Sequence, residues 1–135
     1  MTNILKRQTR EESKLLKKNH LFLKSKKLID SIFENGKYFK EYPLSVRFLQ
    51  VNEVNDINFV ISAKKKYLPK AVDRNKIKRL MRNSLRECVE ELKNKISEQK
   101  KSYHIAIIYN SSIIYDIDYL KDKINLILTR LIVNE

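Results

Sequence analysis

Apolar positions recur along this 135-residue chain in two periods, one close to 3.6 residues and one of 2. Leu28, Ile29, Ile32 and Phe33 form one helical stripe, with Ser25 placed to cap its start. Asn35-Gly36 follows as a stop, and Gly36 is expected in the left-handed conformation beyond the last turn. Leu44 to Val51 alternates and predicts a strand, and Ile57 to Ser62 predicts a second, paired antiparallel with the first. Tyr38 to Tyr42 reads as a further short strand or an aromatic loop. Pro69 bars an earlier helix start, and Asp73 is the expected N-cap of a long helix. In it Ile77, Leu80, Met81, Leu85, Cys88, Val89, Leu92 and Ile96 fall within about half the circumference at roughly 100° per residue. Tyr103 to Tyr109 is apolar on both faces, as in a buried strand. A last helix starts at Asp118 or Tyr119 and repeats Leu120, Ile124, Ile127, Leu128, Leu131 and Ile132.

The order helix, two or three strands, helix, strand, helix predicts an α+β fold in which helices pack on a sheet. A hydrophobic content of 42% over this length supports one domain with one core. The expected division is a basic N-terminal extension over residues 1–16, either a frayed helix or disordered until RNA binds, and a single domain over 17–135.

Charge changes the picture from fold to partner. The formal net charge is +13, and two segments hold the excess: residues 1–27 carry net +7 and residues 64–86 carry net +9. The second segment sets ten cations against one anion, too few partners for pairing along the helix. Such clustering costs self-repulsion, which a polyanion offsets by neutralisation and counterion release. Nucleic acid is the favoured partner. An anionic membrane surface is the weaker one, because the basic stretches lack a bulky apolar face. On the long helix Asn75, Lys78, Arg79, Arg82 and Arg86 gather within an arc of roughly 100°, opposite the apolar stripe. Arginines there are suited to bidentate phosphate contacts, and the helix N-terminus at Asp73-Arg74-Asn75 adds free N–H donors. Phe22, Phe33, Tyr38, Phe39, Tyr42, Phe48, Phe59 and Tyr67 lie near the basic stretches. Phe33, Phe48 and Phe59 have core-like spacing, whereas Tyr38, Phe39 and Tyr42 are irregular and expected to be exposed, as stacking on single-stranded RNA requires.

Catalytic chemistry finds little footing. With one glycine there is no Gly-rich phosphate loop, and the two histidines and one cysteine have no zinc-ligand spacing. His104 reads as a strand residue, Cys88 as core, and Asp116 and Asp118 as helix caps. A lone cysteine, no long apolar run and no apolar signal core fit a cytoplasmic protein without a membrane span. From these residues alone a structural RNA-binding protein, an RNA-processing subunit and a duplex-DNA binder remain open.

The segment Ser62-Ala63-Lys64-Lys65-Lys66, followed by Ala71-Val72-Asp73-Arg74-Asn75-Lys76-Ile77-Lys78-Arg79-Leu80-Met81-Arg82, resembles the protein subunit of bacterial ribonuclease P. Leu23-Lys24-Ser25 with Ile29, Phe33 and Gly36 is similar to that family's first helix. The resemblance spans roughly residues 17–133 and departs at Lys76, where an arginine is usual, at Asn83, usually glutamate, at Val60, commonly glycine, and at Ile29 and Arg47, often aromatic. It implies a two-layer sandwich with a roughly four-stranded sheet, three helices and a left-handed βαβ crossover. It implies a noncatalytic subunit whose RNA partner, with Mg2+, removes the 5′ leader of precursor tRNA. Arg74, Asn75, Lys76, Lys78, Arg79, Arg82 and Arg86 would bind the RNA subunit. Ile29, Phe33, Arg47, Lys65 and Lys66 would line the cleft that takes the leader. No cofactor bound by the protein alone and no obligate protein partner are implied.

Overall fold

The computed structural model describes residues 21–51, 57–99 and 102–133. The expected extension over 1–16 lies outside them, as do the side chains of Leu92, Ile96 and Ile132. The elements run α1 (Lys26–Asn35), β1 (Lys37–Glu41), β2 (Leu44–Val51), β3 (Ile57–Ala63), α2 (Ala71–Gln99), β4 (Ser102–Tyr109) and α3 (Ile117–Val133). Tyr38 to Glu41 is thus strand rather than loop, and a cis Tyr42–Pro43 peptide lies in the turn that follows it.

The four strands form one sheet in the order β1-β2-β4-β3. β2 and β3 are therefore not partners, contrary to the expectation from their adjacency in sequence. β4 runs between them, antiparallel to β2 and parallel to β3. The physical reason is burial. All eight residues of β4 are buried, and only a central position covers both faces and both edges of such a strand. The connection through α2 is the crossover that two parallel strands require.

One face of the sheet presents Val46, Phe59, Ile105, Ile107 and Tyr109 to Ile77, Met81, Leu85 and Val89 of α2 and to Leu120, Ile124 and Ile127 of α3. Full burial of each large side chain contributes about 1.5–3 kcal/mol. Leu80 and Cys88 are half-buried against this core. α1 crosses the opposite face, touching β2 and β4, with Ile32 fully buried beneath it.

The termini of the helices follow local chemistry. Ser25 caps α1 by accepting from Leu28 N–H. Asp116 caps α3, its carboxylate accepting from Tyr119 N–H at 2.9 Å. Asp73 is not the cap of α2: the helix begins two residues earlier, and Arg74 N–H already donates to Lys70 O at 3.2 Å. Pro69 sets the start, and Asp73 sits in the first turn, where its charge complements the helix dipole. Gly36 is not left-handed either, with φ −75° and ψ 151°. Its need is space: a Cβ there would overlap Ile32 O and lie 3.0 Å from Phe48 O. The glycine lets the end of α1 close onto β2.

Candidate nucleic-acid interface

The burial of Ile77, Met81 and Leu85 fixes the rotation of α2 and so decides what its outer flank presents. Asn75, Lys76, Arg79 and Arg86 are exposed, and Lys78 and Arg82 are half-buried. Among the described residues no ion pair engages the cations of this flank. The nearest acid downstream, Glu87, turns instead to α3, where Lys121 Nζ lies 2.5 Å away. Its hydrogen bond holds Lys121 above the usual lysine range. The result is a row of cations about one helical turn apart without an acidic partner among the described residues, suited to successive phosphates of a polyanion.

Arg74 is placed differently from the rest. Its Nη1 donates to Leu68 O at 2.9 Å and to Pro69 O at 2.8 Å. The guanidinium ties the segment before α2 to its first turn, so one part of this side chain is structural. Arg82 and Arg86 share another device. Both guanidiniums stand over the Phe22 ring, at 5.9 and 5.2 Å from its centre. Phe22 is held there because its segment adds to the outer edge of β3: Leu23 N–H donates to Phe59 O at 2.8 Å and Phe59 N–H to Leu21 O at 2.6 Å. The short apolar run Leu21-Phe22-Leu23 was the available signal. Sequence reasoning counted Phe22 only as one aromatic among many.

A second surface forms where α1 crosses the sheet. Arg47 projects from β2 on the face opposite the main core, since Val46 beside it is fully buried there. Its guanidinium stands 5.9 Å from the Phe33 ring centre and 5.0 Å from that of Tyr38. Tyr38 lies directly across from Arg47 in the β1–β2 register. Phe33 is 40% exposed, so it lines this groove rather than filling a core. Ile29, one turn earlier on α1, is half-buried. The structure thus joins Phe33, Arg47 and Tyr38, and Tyr38 is the member that the family resemblance did not assign to the groove. Lys65 and Lys66 are exposed in the loop after β3, with Lys66 Nζ 5.6 Å from the Tyr67 ring centre. Of the expected exposed aromatics, Tyr38 and Tyr42 are exposed, whereas Phe39 packs against the core with Arg130 over its ring at 4.2 Å.

Among the described residues no three His, Cys, Asp or Glu side chains converge to hold a metal ion, and no helix is long and apolar enough to cross a membrane. His104 is buried in β4.

Comparison with known proteins agrees with this arrangement. The family model for ribonuclease P matches residues 15–131. No curated protein sequence matches the chain. Among solved structures, the chain is similar to a Staphylococcus aureus RNase P protein mutant with defective mRNA degradation activity, at 20% identity and a TM-score of 0.68, covering 90% of this chain and 95% of that one. It is similar also to the RNase P protein from Thermotoga maritima, at 25% identity and a TM-score of 0.64, covering 80% of this chain and 94% of that one. With the family model spanning nearly all of the described fold, the chain belongs to the family of bacterial ribonuclease P protein components.

Proposed function

We propose that this chain is the noncatalytic protein subunit of a ribonuclease P holoenzyme, a tRNA-processing enzyme, and that it meets RNA on two surfaces. The observation that carries the reading is the flank of α2, where exposed cations have no acidic partner among the described residues. Asn75, Lys76, Lys78, Arg79, Arg82 and Arg86 contact the catalytic RNA, with phosphate neutralisation supplying most of the affinity. Arg74 assists by holding the N-terminus of α2 in place. Asn75, beside that N-terminus, is suited to a base edge or a 2′-hydroxyl.

The groove between α1 and the sheet takes the 5′ leader of precursor tRNA. Phe33 and Tyr38 offer ring faces, Arg47 offers charge between them, and Ile29 lines the helix side. Lys65 and Lys66 add positive charge from the neighbouring loop. Stacking with one central arginine suits a single strand of many sequences, because every base has a π-face. The RNA subunit supplies the hydrolysis together with Mg2+. This chain's part is to bind and orient the substrate and to lower the repulsion between two polyanions.

Reconstitution with the cognate RNA tests the reading. Cleavage of precursor tRNA at the 5′ junction is followed at low and high magnesium, with and without the protein. The expected result is that protein restores cleavage at low magnesium and lowers KM for leader-bearing substrate. Unchanged cleavage at low magnesium would overturn the proposal.

A further inference from the structure

The cationic row on α2 has a sharp end. At roughly 100° per residue, Arg79, Arg86 and Glu90 fall within about 40° of one another, so the line of the flank changes from arginine to carboxylate one turn after Arg86. Glu90 is exposed, and Glu91 follows it in sequence. RNA laid along the helix meets negative charge from there on.

The chain enters the described fold beside this end. Phe22 pairs with Phe59 as a parallel neighbour of β3, and its ring carries Arg82 and Arg86. The two backbone hydrogen bonds between this segment and Phe59 fix it there, and Leu21 is buried. β3 runs toward the start of α2, and α2 returns antiparallel to it to reach β4. A segment parallel to β3 therefore comes in from the side of the second half of the helix, where Glu90 stands. Residues 1–20 carry six cations, Lys6, Arg7, Arg10, Lys14, Lys17 and Lys18, against Glu11 and Glu12, a net charge of +4. Pairing with Glu90 and Glu91 absorbs at most two of these charges and leaves an excess for a polyanion. The family match begins at residue 15, so Lys6, Arg7, Arg10 and Lys14 are additions of this chain to the shared domain.

We propose that residues 1–20 act as a cationic arm, anchored by Leu21-Phe22-Leu23 beside Arg82 and Arg86, that carries the α2 interface past Glu90 on the same catalytic RNA. The inference rests on the α2 flank being the face for that RNA, as proposed above. Once the flank is bound, the anchor holds the arm's cations near the RNA at an effective concentration on the order of millimolar. Their phosphate contacts then form without a second encounter, and each releases counterions. Residues 1–20 contain no Phe, Tyr or Trp, so the arm meets phosphates rather than stacked bases and adds affinity without sequence preference.

The test titrates the full chain against the catalytic RNA over a series of salt concentrations. A variant with all six arm cations changed to Gln, and Leu21 to Leu23 untouched, is expected to bind roughly 10- to 100-fold more weakly at physiological salt and to lower the logarithmic salt slope by about 2–4. Its Tm should match that of the unaltered chain. A hydroxyl-radical probe on Glu12→Cys, in a Cys88→Ser background, should cut the catalytic RNA next to the cuts made from Asn83→Cys in the same background. Unchanged affinity and slope in the six-fold variant, while Arg79→Gln/Arg86→Gln weakens binding, would overturn the arm and leave the α2 reading standing. So would a loss confined to precursor tRNA, or cuts from Glu12→Cys remote from those of Asn83→Cys. If Arg79→Gln/Arg86→Gln also leaves affinity for the catalytic RNA unchanged, the reading of the flank itself fails.

Discussion

Arg74 and Arg79 lie in the same basic segment, five residues apart, yet the structure gives them different work, and a charge-conserving pair of variants separates it. In Arg74→Lys the positive charge stays, but the two hydrogen bonds from Nη1 to Leu68 O and Pro69 O are lost or weakened, because the lysine ammonium ends one bond short of the place of Nη1. A hydrogen bond from a charged donor contributes about 1.5–3 kcal/mol when buried. The Leu68 bond is part-buried and the Pro69 bond exposed, so solvent screening lowers the sum to about 1–2 kcal/mol. For a domain of this length that is a drop of roughly 3–6 °C in Tm. Arg79→Lys, on the exposed flank, should change Tm by less than about 1 °C. Urea and thermal unfolding followed by circular dichroism measure both. RNA binding at several salt concentrations adds the second readout, and both variants should keep the salt slope because both keep their charge. Equal stability of Arg74→Lys and Arg79→Lys would refute the structural role assigned to Arg74.

Three further outcomes follow from the packing. Gly36→Ala should destabilise the fold by about 2–4 kcal/mol in urea unfolding, because its Cβ meets two backbone carbonyls that cannot rotate away; a cost under about 0.5 kcal/mol would show that α1 is free to shift. Phe22→Leu should weaken RNA binding by about 0.5–2 kcal/mol through two lost cation–π contacts while leaving the Leu21–Phe59 pairing intact; filter binding checks it, and unchanged affinity would remove Phe22 from the interface. Met81→Ala should cost about 2–5 kcal/mol, since the side chain is fully buried between sheet and helix; a smaller loss in denaturant titration would mean that the core collapses around it.

What the amino-acid pattern made legible was set by periodicity. The stripe from Ile77 to Val89 located the buried face of α2 and, by opposition, its cationic flank, so the larger part of the candidate interface could be read without coordinates. Strand order was not readable in the same way. β2 and β3 each alternate well enough to pair with one another, and only the full burial of β4 forces it between them. The misplaced cap at Asp73 and the wrong conformation expected for Gly36, which does end α1, have a common cause. Asp73 and Gly36 are residue types that often end helices, but Pro69 and the close approach of Ile32 O and Phe48 O decide their actual roles, and these act through tertiary geometry. The groove was half legible. Phe33 and Arg47 are distant in sequence and were joined by resemblance, whereas Tyr38 enters by its cross-strand register. Side-chain commitment was invisible: nothing in the run Arg74-Asn75-Lys76 distinguishes an arginine that holds carbonyls from one that faces solvent.

The central claim is that the two surfaces serve two RNAs, and paired affinities in the reconstituted system test it most directly. Arg79→Gln/Arg86→Gln and Arg47→Ala are each titrated against the catalytic RNA, and the assembled holoenzymes against precursor tRNA with and without its leader. The first variant should weaken binding of the catalytic RNA by roughly 10-fold at physiological salt and lower the logarithmic salt slope by about 1.8, with leader preference intact. The second should leave assembly unchanged and abolish most of the advantage that a leader confers. Loss of both affinities in both variants, or of neither, would contradict a division of the protein into two RNA-binding surfaces.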